Sequence, residues 1–157
     1  MIETERLRLR DVVPADAEPF AEVLGDPEVM RFSHKGPMDA SGIARWIARE
    51  KHALTVETRS PREVIGLVAL RPKGKGFADL VYRLKRSAQG KGYAIEAVRA
   101  LCDKGFADGL EAITGDIDPD NEGSLKLARR LGMVKTGTVM HPGYDHPDHV
   151  YTLRKPG

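Results

Sequence analysis

The chain has 157 residues, a length typical of one domain, and its 41% hydrophobic and 31% charged residues exclude an intrinsically disordered protein. The net charge of +2 is too small to indicate a nucleic-acid-binding surface. No apolar run approaches the ~20 residues of a membrane-spanning helix, and the acidic opening does not resemble a secretory signal. We therefore expect one domain over residues 1–157, located in the cytoplasm, with neither a membrane nor nucleic acid as a partner.

Hydrophobic periodicity predicts alternating strands and helices. Period-two alternation indicates strands, and apolar residues three or four positions apart indicate helices. In chain order, the predicted elements are a strand at Arg6–Arg10, helices at Asp16–Leu24 and from Ile43 to about Glu50, strands at Ala53–Thr58, Val64–Leu70 and Asp79–Leu84, a helix at Lys91–Asp108, a strand at Ala112–Ile117, a helix at Asn121–Leu131 and two strands around His141–Pro147. The order β-α-α-β-β-β-α-β-α-β-β predicts an α/β fold with a mixed sheet.

Two features of the sequence could suggest thiol or metal chemistry. Cys102 is the only cysteine, which excludes an intramolecular disulfide and a multi-cysteine metal site, and its place on an apolar helix face predicts a small buried side chain. The histidines and aspartates of residues 141–149 lie in a Pro/Gly-rich hairpin without a recognised ligand spacing. We expect solvated loop residues there, and no metal.

A glycine-rich segment, Gln89–Ala94, lies between the strand that ends at Leu84 and the longest predicted helix. A helix N-terminus presents unpaired N–H groups and partial positive charge, and glycine lets backbone amides approach phosphate oxygens. Lys91 could add a mobile positive charge. The segment therefore predicts a cradle for a phosphate group.

Three other interpretations of this glycine-rich segment are possible. A Walker loop is excluded, because Lys85 and Gly92 stand where it needs glycine and Ser or Thr. A Rossmann fingerprint can use Gly90 and Gly92 but meets Ile95 where its third small residue belongs. The third interpretation is a glycine-containing turn that binds nothing, and the segment alone does not exclude it.

The segment Gln89–Ala94 resembles the Gln/Arg-x-x-Gly-x-Gly/Ala signature of the GNAT acyltransferase superfamily, and Gly92–Ala97 resembles its RimJ/RimL-like N-acetyltransferase branch. Further motifs of that branch follow the same order along nearly the whole chain, at Glu5–Arg10, Asp26–Met30, Ile65–Val68, Asp118–Asn121 with Ser124, and Leu131-Gly132. The resemblance implies a single-domain GNAT-like fold whose mixed, largely antiparallel central sheet is flanked by helices. It also implies acetyl-CoA as co-substrate.

The resemblance implies cofactor contacts made mainly by the backbone. The main chain of Tyr82, Arg83 and Leu84 would pair with the pantetheine arm, and Asn121 would hydrogen-bond to it. Asn121 or Asp120 could instead only cap the following helix. The amides that would hold the pyrophosphate are those of Gln89, Gly90, Lys91, Gly92, Tyr93 and Ala94.

The sequence indicates the residues that transfer protons less clearly than those that bind the cofactor. Many superfamily members carry a tyrosine seven residues after the asparagine as proton donor to the thiolate, but Ala128 stands there. The branch has a serine three residues after the asparagine, which makes Ser124 the candidate donor to the CoA sulfur, unless it is a helix cap or a surface contact. Asp79 and Glu63 are candidate general bases, and each could equally be a solvated strand residue.

The expected reaction is direct attack of a neutral primary amine on the acetyl thioester within a ternary complex. The amine belongs either to a protein or peptide N-terminus or to a small molecule such as a polyamine, amino acid or aminoglycoside. The loop Ser33–Met38 is not acidic, which disfavours strongly cationic amines. The alternative is a non-catalytic acyl-CoA-binding module, which Ala128 keeps open. Dimers are common in this family, so a homodimer is a further candidate partner.

Overall fold

The computed structural model describes residues 1–157 and contains one eight-stranded sheet with the strand order β1-β2-β3-β4-β5-β6-β8-β7. The pairing of β5 with β6 is parallel, and β1 to β4 and β6 to β8 pair antiparallel. The strands are β1 (Ile2–Glu3), β2 (Leu7–Asp11), β3 (Ala53–Arg59), β4 (Arg62–Pro72), β5 (Phe77–Leu84), β6 (Ala112–Ile117), β7 (Val134–Val139) and β8 (Asp148–Arg154). The helices are α1 (Ala17–Phe20), α2 (Ala40–Arg49), α3 (Tyr93–Ala107) and α4 (Glu122–Leu131). The predicted α/β class and mixed, mostly antiparallel sheet are confirmed, and the element order agrees except for the two-residue strand β1, which was not predicted.

The chain forms two compact units. The first unit comprises Met1–Ala69 and Tyr82–Leu101, and the second comprises Leu70–Val81 and Cys102–Gly157. The elements β4, β5 and α3 contribute residues to both. The expectation that residues 1–157 form one domain stays a prediction.

One apolar cluster of the first unit is built on Phe20 of α1, the turns after it, α2 and β4. Trp46 packs edge-on against Phe20 of this cluster, with ring centroids 6.0 Å apart. Strand alternation buries Leu7 and Leu9 completely and leaves Arg8 and Arg10 partly exposed. The cluster consists of Phe20, Val23, Leu24, Met30, Ile43 and Leu67.

The first helix is much shorter than the predicted Asp16–Leu24. A 3-10 turn at Pro14–Asp16 leads into the four residues of α1, and tight turns follow. Pro19 has no N–H to give to a helical ladder, and the Val23 N–H donates to the Phe20 carbonyl three residues back, at 3.0 Å. Prediction by periodicity therefore found the buried side chains but not their backbone conformation.

The second unit places β6 beside β8, which pairs in turn with β7. Helix α4 begins after Asn121 and ends at Gly132, whose φ of 88° suits the left-handed residue that terminates many helices. Its apolar face belongs to a cluster that comprises Ile117, Leu125, Ala128, Met133 and Tyr151. Across the whole structure, no helix combines the length and the apolarity needed to cross a membrane.

Cys102 lies on α3 and is buried, with 2% of its surface exposed. Desolvation, together with nearby Asp103, raises the pKa of its thiol to about 12. The thiol therefore stays protonated at neutral pH, when it is a poor nucleophile. The prediction of a small buried side chain is confirmed.

A buried carboxylate joins β2 to the segment before α1. Asp16 accepts two hydrogen bonds from the Arg10 guanidinium, at 2.9 and 3.0 Å, one from the Val13 N–H at 3.0 Å, and one from the Thr55 hydroxyl at 2.7 Å. Burial by itself raises the pKa of this carboxyl, but the three donors lower it below its ordinary value of 3.8. The charged form is thus the one that the fold stabilises.

We expect Asp16→Ala to lower the free energy of unfolding by about 2–3 kcal/mol, because the Val13 N–H and the Thr55 hydroxyl lose their acceptor and Arg10 keeps only Glu57, 3.2 Å away, as a counter-charge. The depressed pKa also predicts that this contribution is complete above the unfolded-state value of 3.8 and is lost as pH falls through the lower folded-state pKa. Urea unfolding between pH 3 and 7 would measure both effects. The control is Asp11→Ala, an exposed aspartate at the end of β2, and an equal loss in the control would contradict the assignment.

Candidate cofactor and active site

The cradle predicted at Gln89–Ala94 has the geometry of an anion site. Gly90 and Gly92 have φ values of 78° and 82°, in the region that favours glycine, and α3 begins directly after them at Tyr93. The first hydrogen bond of the helix runs from the Glu96 N–H to the Gly92 carbonyl at 3.2 Å, and the backbone N–H groups of residues 90–95 have no acceptor in the protein. A run of donors at a helix N-terminus is suited to phosphate oxygens.

Arg6 fixes the cradle from the N-terminal segment. Its Nη1 donates to the Lys91 carbonyl at 3.0 Å, its guanidinium lies 4.4 Å from the centroid of the Tyr93 ring, and its Nε donates to Glu96 at 2.7 Å. A Cβ built on Gly92 would lie 3.3 Å from Nη2 of Arg6. Sequence motifs alone assign no role to Arg6, although Glu5–Arg10 and Gly92–Ala97, which contain Arg6 and Glu96, both resemble motifs of the family.

Glu96 ties the same segment to α3. It accepts hydrogen bonds from the Thr4 hydroxyl at 2.6 Å and from the Arg6 N–H at 2.9 Å. Burial raises the pKa of Glu96, but the hydrogen bonds from Thr4 and Arg6 outweigh it and lower the pKa below the ordinary value. Glu96 is therefore ionised at neutral pH, and its hydrogen bonds with Thr4 and Arg6 attach the N-terminal segment to α3.

The end of β5 lies against the cradle and against β4. The Gln89 side-chain amide donates to the Leu84 carbonyl at 3.0 Å. A Cβ on Gly66 would lie 2.1 Å from the Arg83 carbonyl oxygen, so only glycine allows this approach of the two backbones. Nη1 of Arg83 donates to the Tyr82 carbonyl at 3.2 Å. The structure thus joins Gln89 to Leu84, the last of the three β5 residues predicted to pair with pantetheine.

Asp79 lies at the last residue pair of the parallel ladder between β5 and β6. The ladder joins Phe77 to Ala112 and ends with Asp79 opposite Thr114, and β5 continues to Leu84 and β6 to Ile117. The Thr114 hydroxyl donates to Asp79 at 2.5 Å, and the Lys73 ammonium lies 3.2 Å from the same carboxylate oxygen. Thr114 and Lys73 therefore fix the position of the Asp79 carboxylate, which is not a freely solvated strand residue.

Glu63, the other candidate base, has a different environment. It lies in β4 with 56% of its side chain exposed, and its carboxylate is 3.2 Å from the ammonium of Lys85. Glu22 approaches the same ammonium at 3.6 Å. Since Lys85 has only 11% of its side chain exposed, these two carboxylates supply its counter-charge.

Asn121 and Ser124 lie at the start of α4 in the second unit. The Asn121 Oδ1 accepts a hydrogen bond from the Ser124 N–H at 3.2 Å, so the capping interpretation of Asn121 is confirmed. A cap uses only the oxygen of the side-chain amide, and its NH2 group remains a donor for a ligand. Ser124 is partly buried in the first turn, whereas Ala128, with 1% of its surface exposed, offers no proton donor.

The loop histidines are paired rather than merely solvated, which corrects the expectation for residues 141–149. His146 hydrogen-bonds to Asp145 through Nδ1 at 2.7 Å and to Asp118 through Nε2 at 3.1 Å. The hydrogen bond to Asp145, followed by that to Asp118, raises the pKa of His146. Asp118, Asp120 and His146 bring potential ligand atoms within 4.8 Å of one another, an arrangement that is common without an ion. The expectation that no metal is used stays a prediction.

Comparison with known proteins identifies the family. The family model described as Acetyltransferase (GNAT) domain matches residues 6–134. An uncharacterized N-acetyltransferase, p20 of Bacillus licheniformis, is 33% identical over 148 residues, which cover 87% of this chain and 83% of that protein. The L-methionine sulfoximine/L-methionine sulfone acetyltransferase of Pseudomonas aeruginosa is 25% identical over 146 residues, covering 86% and 84%.

The fold comparison agrees. The crystal structure of a GNAT-family acetyltransferase from Bacillus anthracis superposes with a TM-score of 0.93, covers 98% of both chains, and is 22% identical in sequence. Together with the family match over residues 6–134, this accounts for the sheet, the cradle and the helix that follows it. The chain therefore belongs to the GNAT acetyltransferase family and is an acyltransferase that uses acetyl-CoA.

Proposed function

We propose that the protein transfers the acetyl group of acetyl-CoA to a primary amine by direct attack in a ternary complex. The observation that carries this proposal is the run of backbone N–H groups without acceptors at residues 90–95, next to two glycines with positive φ. These donors would bind the pyrophosphate of the cofactor, and Arg6 and Lys91 would add positive charge beside it.

The remaining cofactor contacts follow from the same proposal. The main chain of Tyr82, Arg83 and Leu84 would run alongside the pantetheine, and the Asn121 side-chain NH2 would donate to one of its carbonyls. The ordered motifs support assignment to the RimJ/RimL-like branch. The cytoplasmic location and the homodimer stay predictions.

The chemistry needs a base and an acid. The ammonium must lose one proton before its nitrogen bonds to the acetyl carbon, and the nitrogen loses a second proton after bonding. The C–S bond then breaks to leave the amide and a thiolate, which takes up a proton. Of the two candidate bases we favour Asp79, because it lies at the last pair of the β5–β6 ladder. Each carboxylate has a lysine ammonium 3.2 Å away, Lys73 for Asp79 and Lys85 for Glu63, so ion pairing does not distinguish them. Ser124 would give its proton to the thiolate, since Ala128 has none to give.

The acceptor is proposed to be a small amine. The Pseudomonas relative is named for two amino-acid derivatives, L-methionine sulfoximine and L-methionine sulfone, which supports a small acceptor over a protein N-terminus. The loop Ser33–Met38 carries no acidic residue, which disfavours polyamines. An amino acid or a derivative of one fits both observations.

The experiment that tests this function is an acceptor screen that detects released CoA thiol. Peptides, polyamines, amino acids and aminoglycosides would each be mixed with the protein and acetyl-CoA. We expect turnover with at least one acceptor, most strongly among the amino acids. If acetyl-CoA binds in a calorimetric titration but no acceptor releases thiol, the non-catalytic acyl-CoA-binding module is the correct reading.

Ser124→Ala tests the proposed proton donor. We expect kcat to fall about 100-fold, because the thiolate then leaves without a positioned acid, while the affinity for acetyl-CoA changes much less. Steady-state kinetics and calorimetry would separate the two effects. Ser60→Ala, which alters an exposed serine between β3 and β4, is the control. Equal losses of turnover and affinity would show that Ser124 only binds the cofactor.

A further inference from the structure

Three arginines of the first unit are partly buried, and one of them lacks a counter-charge. Arg8 lies 3.7 Å from Glu57, and Arg10 makes two hydrogen bonds to Asp16. The Arg83 guanidinium has a single hydrogen bond, to the neighbouring Tyr82 carbonyl at 3.2 Å, and no carboxylate within ion-pair distance. Arg83 is therefore the exception in this unit.

The carboxylates near Arg83 in the sequence and on β4 form ion pairs with other cations. Lys85, two residues along, pairs with Glu22 and Glu63. Arg86 makes two hydrogen bonds to Asp26, at 2.7 and 3.1 Å. The protein thus neutralises two of the three cations of residues 83–86 and leaves the guanidinium of the third without an acid.

Arg83 is partly buried, and a guanidinium that is partly withdrawn from water without a counter-charge is unfavourable. Desolvation lowers the pKa of Arg83, which shows that its surroundings disfavour the positive charge. A bound anion would remove this penalty. The planar guanidinium forms two parallel hydrogen bonds with a carboxylate, a geometry that a lysine ammonium cannot reproduce.

The position of Arg83 indicates whether the cofactor or the acceptor supplies that anion. The phosphates of the cofactor have their own donors, the backbone N–H groups of residues 90–95. Under the proposed function, the main chain of Tyr82–Leu84 runs beside the pantetheine arm, which joins the phosphates to the acyl group, so the Arg83 side chain starts beside this arm. The acceptor is the molecule that must approach the acyl group at the end of the arm.

We propose that Arg83 binds the carboxylate of the acceptor, and that the preferred acceptors are α-amino acids or close analogues with a free carboxylate. This inference rests on the proposed acetyl transfer and makes it more specific. In an α-amino acid the carboxylate carbon is two bonds from the amine nitrogen, so pairing with Arg83 would also orient the nucleophile. Arg83 is thus a specificity-determining residue for the reaction.

The test compares amino acids with their carboxamides. L-methionine, L-methionine sulfone, L-glutamine and L-phenylalanine would each be assayed beside the matching carboxamide, which keeps the amine and removes the negative charge. For the wild type we expect kcat/KM to favour the acid by about 100-fold, and Arg83→Met to remove most of this preference. Arg83→Lys should keep part of it, and the exposed control Arg49→Met should keep all of it.

A binding measurement separates this inference from the proposed function. N-acetyl-L-methionine and its carboxamide would be titrated into the protein saturated with CoA, for the wild type and for Arg83→Met. Selective binding of the acid by the wild type alone supports the inference even if no acceptor turns over. Equal use and equal binding of acids and carboxamides by the wild type would overturn it while leaving acetyl transfer intact. Equal losses for acid and carboxamide in Arg83→Met, together with weaker acetyl-CoA binding, would also overturn it by showing that Arg83 serves the cofactor.

Discussion

Gly92→Asp is expected to abolish acetyl-CoA binding, with a loss of affinity of at least about 100-fold. Three effects act together at this position. The φ of 82° is unfavourable for any residue with a Cβ, the new carboxylate would repel the pyrophosphate, and Nη2 of Arg6 lies 3.3 Å from the position of the new Cβ. The introduced carboxylate would therefore pair with Arg6 and compete with the cofactor for a positive charge.

The matched control for this variant is Gly132→Ala. Gly132 has a φ of 88° and open space around a built Cβ, so its replacement costs similar backbone strain in the second unit, to which the cradle segment does not belong. Gly92→Ala adds the Cβ without the charge. Calorimetric titration with acetyl-CoA should give a loss that increases from Gly132→Ala to Gly92→Ala to Gly92→Asp. Unchanged affinity in Gly92→Asp would show that the cradle does not hold the pyrophosphate.

The cradle could be predicted from sequence because its function depends on local features. Two glycines and a helix N-terminus are adjacent in the chain, and their backbone geometry follows from residue type. Arg6 could not be predicted in the same way. Its contacts with Lys91 and Tyr93 join residues more than eighty positions apart, and only the fold brings them together.

The first helix shows that hydrophobic spacing predicts burial but not backbone conformation. The apolar residues over 16–24 have helical spacing, and Phe20 and Leu24 are buried as that spacing implies. The backbone nevertheless forms a four-residue helix followed by tight turns, in which the N–H groups of Ala21, Glu22 and Val23 donate to carbonyls three residues back. Hydrophobic spacing determines which side chains face the core, whereas it does not distinguish a helix from a series of tight turns.

The candidate bases show that residue type alone does not predict the environment of a side chain. From sequence, Asp79 and Glu63 were equivalent acidic residues at strand positions. The register of β5 with β6 gives Asp79 a threonine hydroxyl partner, and the turn after β4 brings Lys73 to it. Glu63 instead pairs with a nearly buried lysine. The distinction between them arises from partners on other segments, which periodicity does not specify.

Asp79→Asn is expected to lower kcat about 100- to 10,000-fold at neutral pH, because the amide cannot accept the proton of the incoming ammonium. The same argument predicts that the defect shrinks as pH rises towards the pKa of the acceptor amine, since the nucleophile is then increasingly neutral; this pKa is about 9–10 in a free amino acid, whose carboxylate raises it above the value of about 8 for a peptide N-terminus. The measurement is kcat between pH 6.5 and 10 with the best acceptor from the screen. Asp103→Asn, an exposed aspartate on α3, is the control for general effects of losing a carboxylate.

Glu63→Gln distinguishes the two candidate bases in the same assay. If Asp79 accepts the proton, its replacement alone gives a defect that is relieved at high pH, and Glu63→Gln acts mainly through the stability of the Lys85 ion pair. A pH-relieved defect in Glu63→Gln, with Asp79→Asn unaffected, would reverse the assignment. A defect in Asp79→Asn that stays constant with pH would mean that Asp79 orients its strand through Thr114 and Lys73 rather than removing a proton. Because alkaline pH supplies the neutral amine independently of any side chain, the pH dependence separates a base from a structural carboxylate even when both variants lose activity.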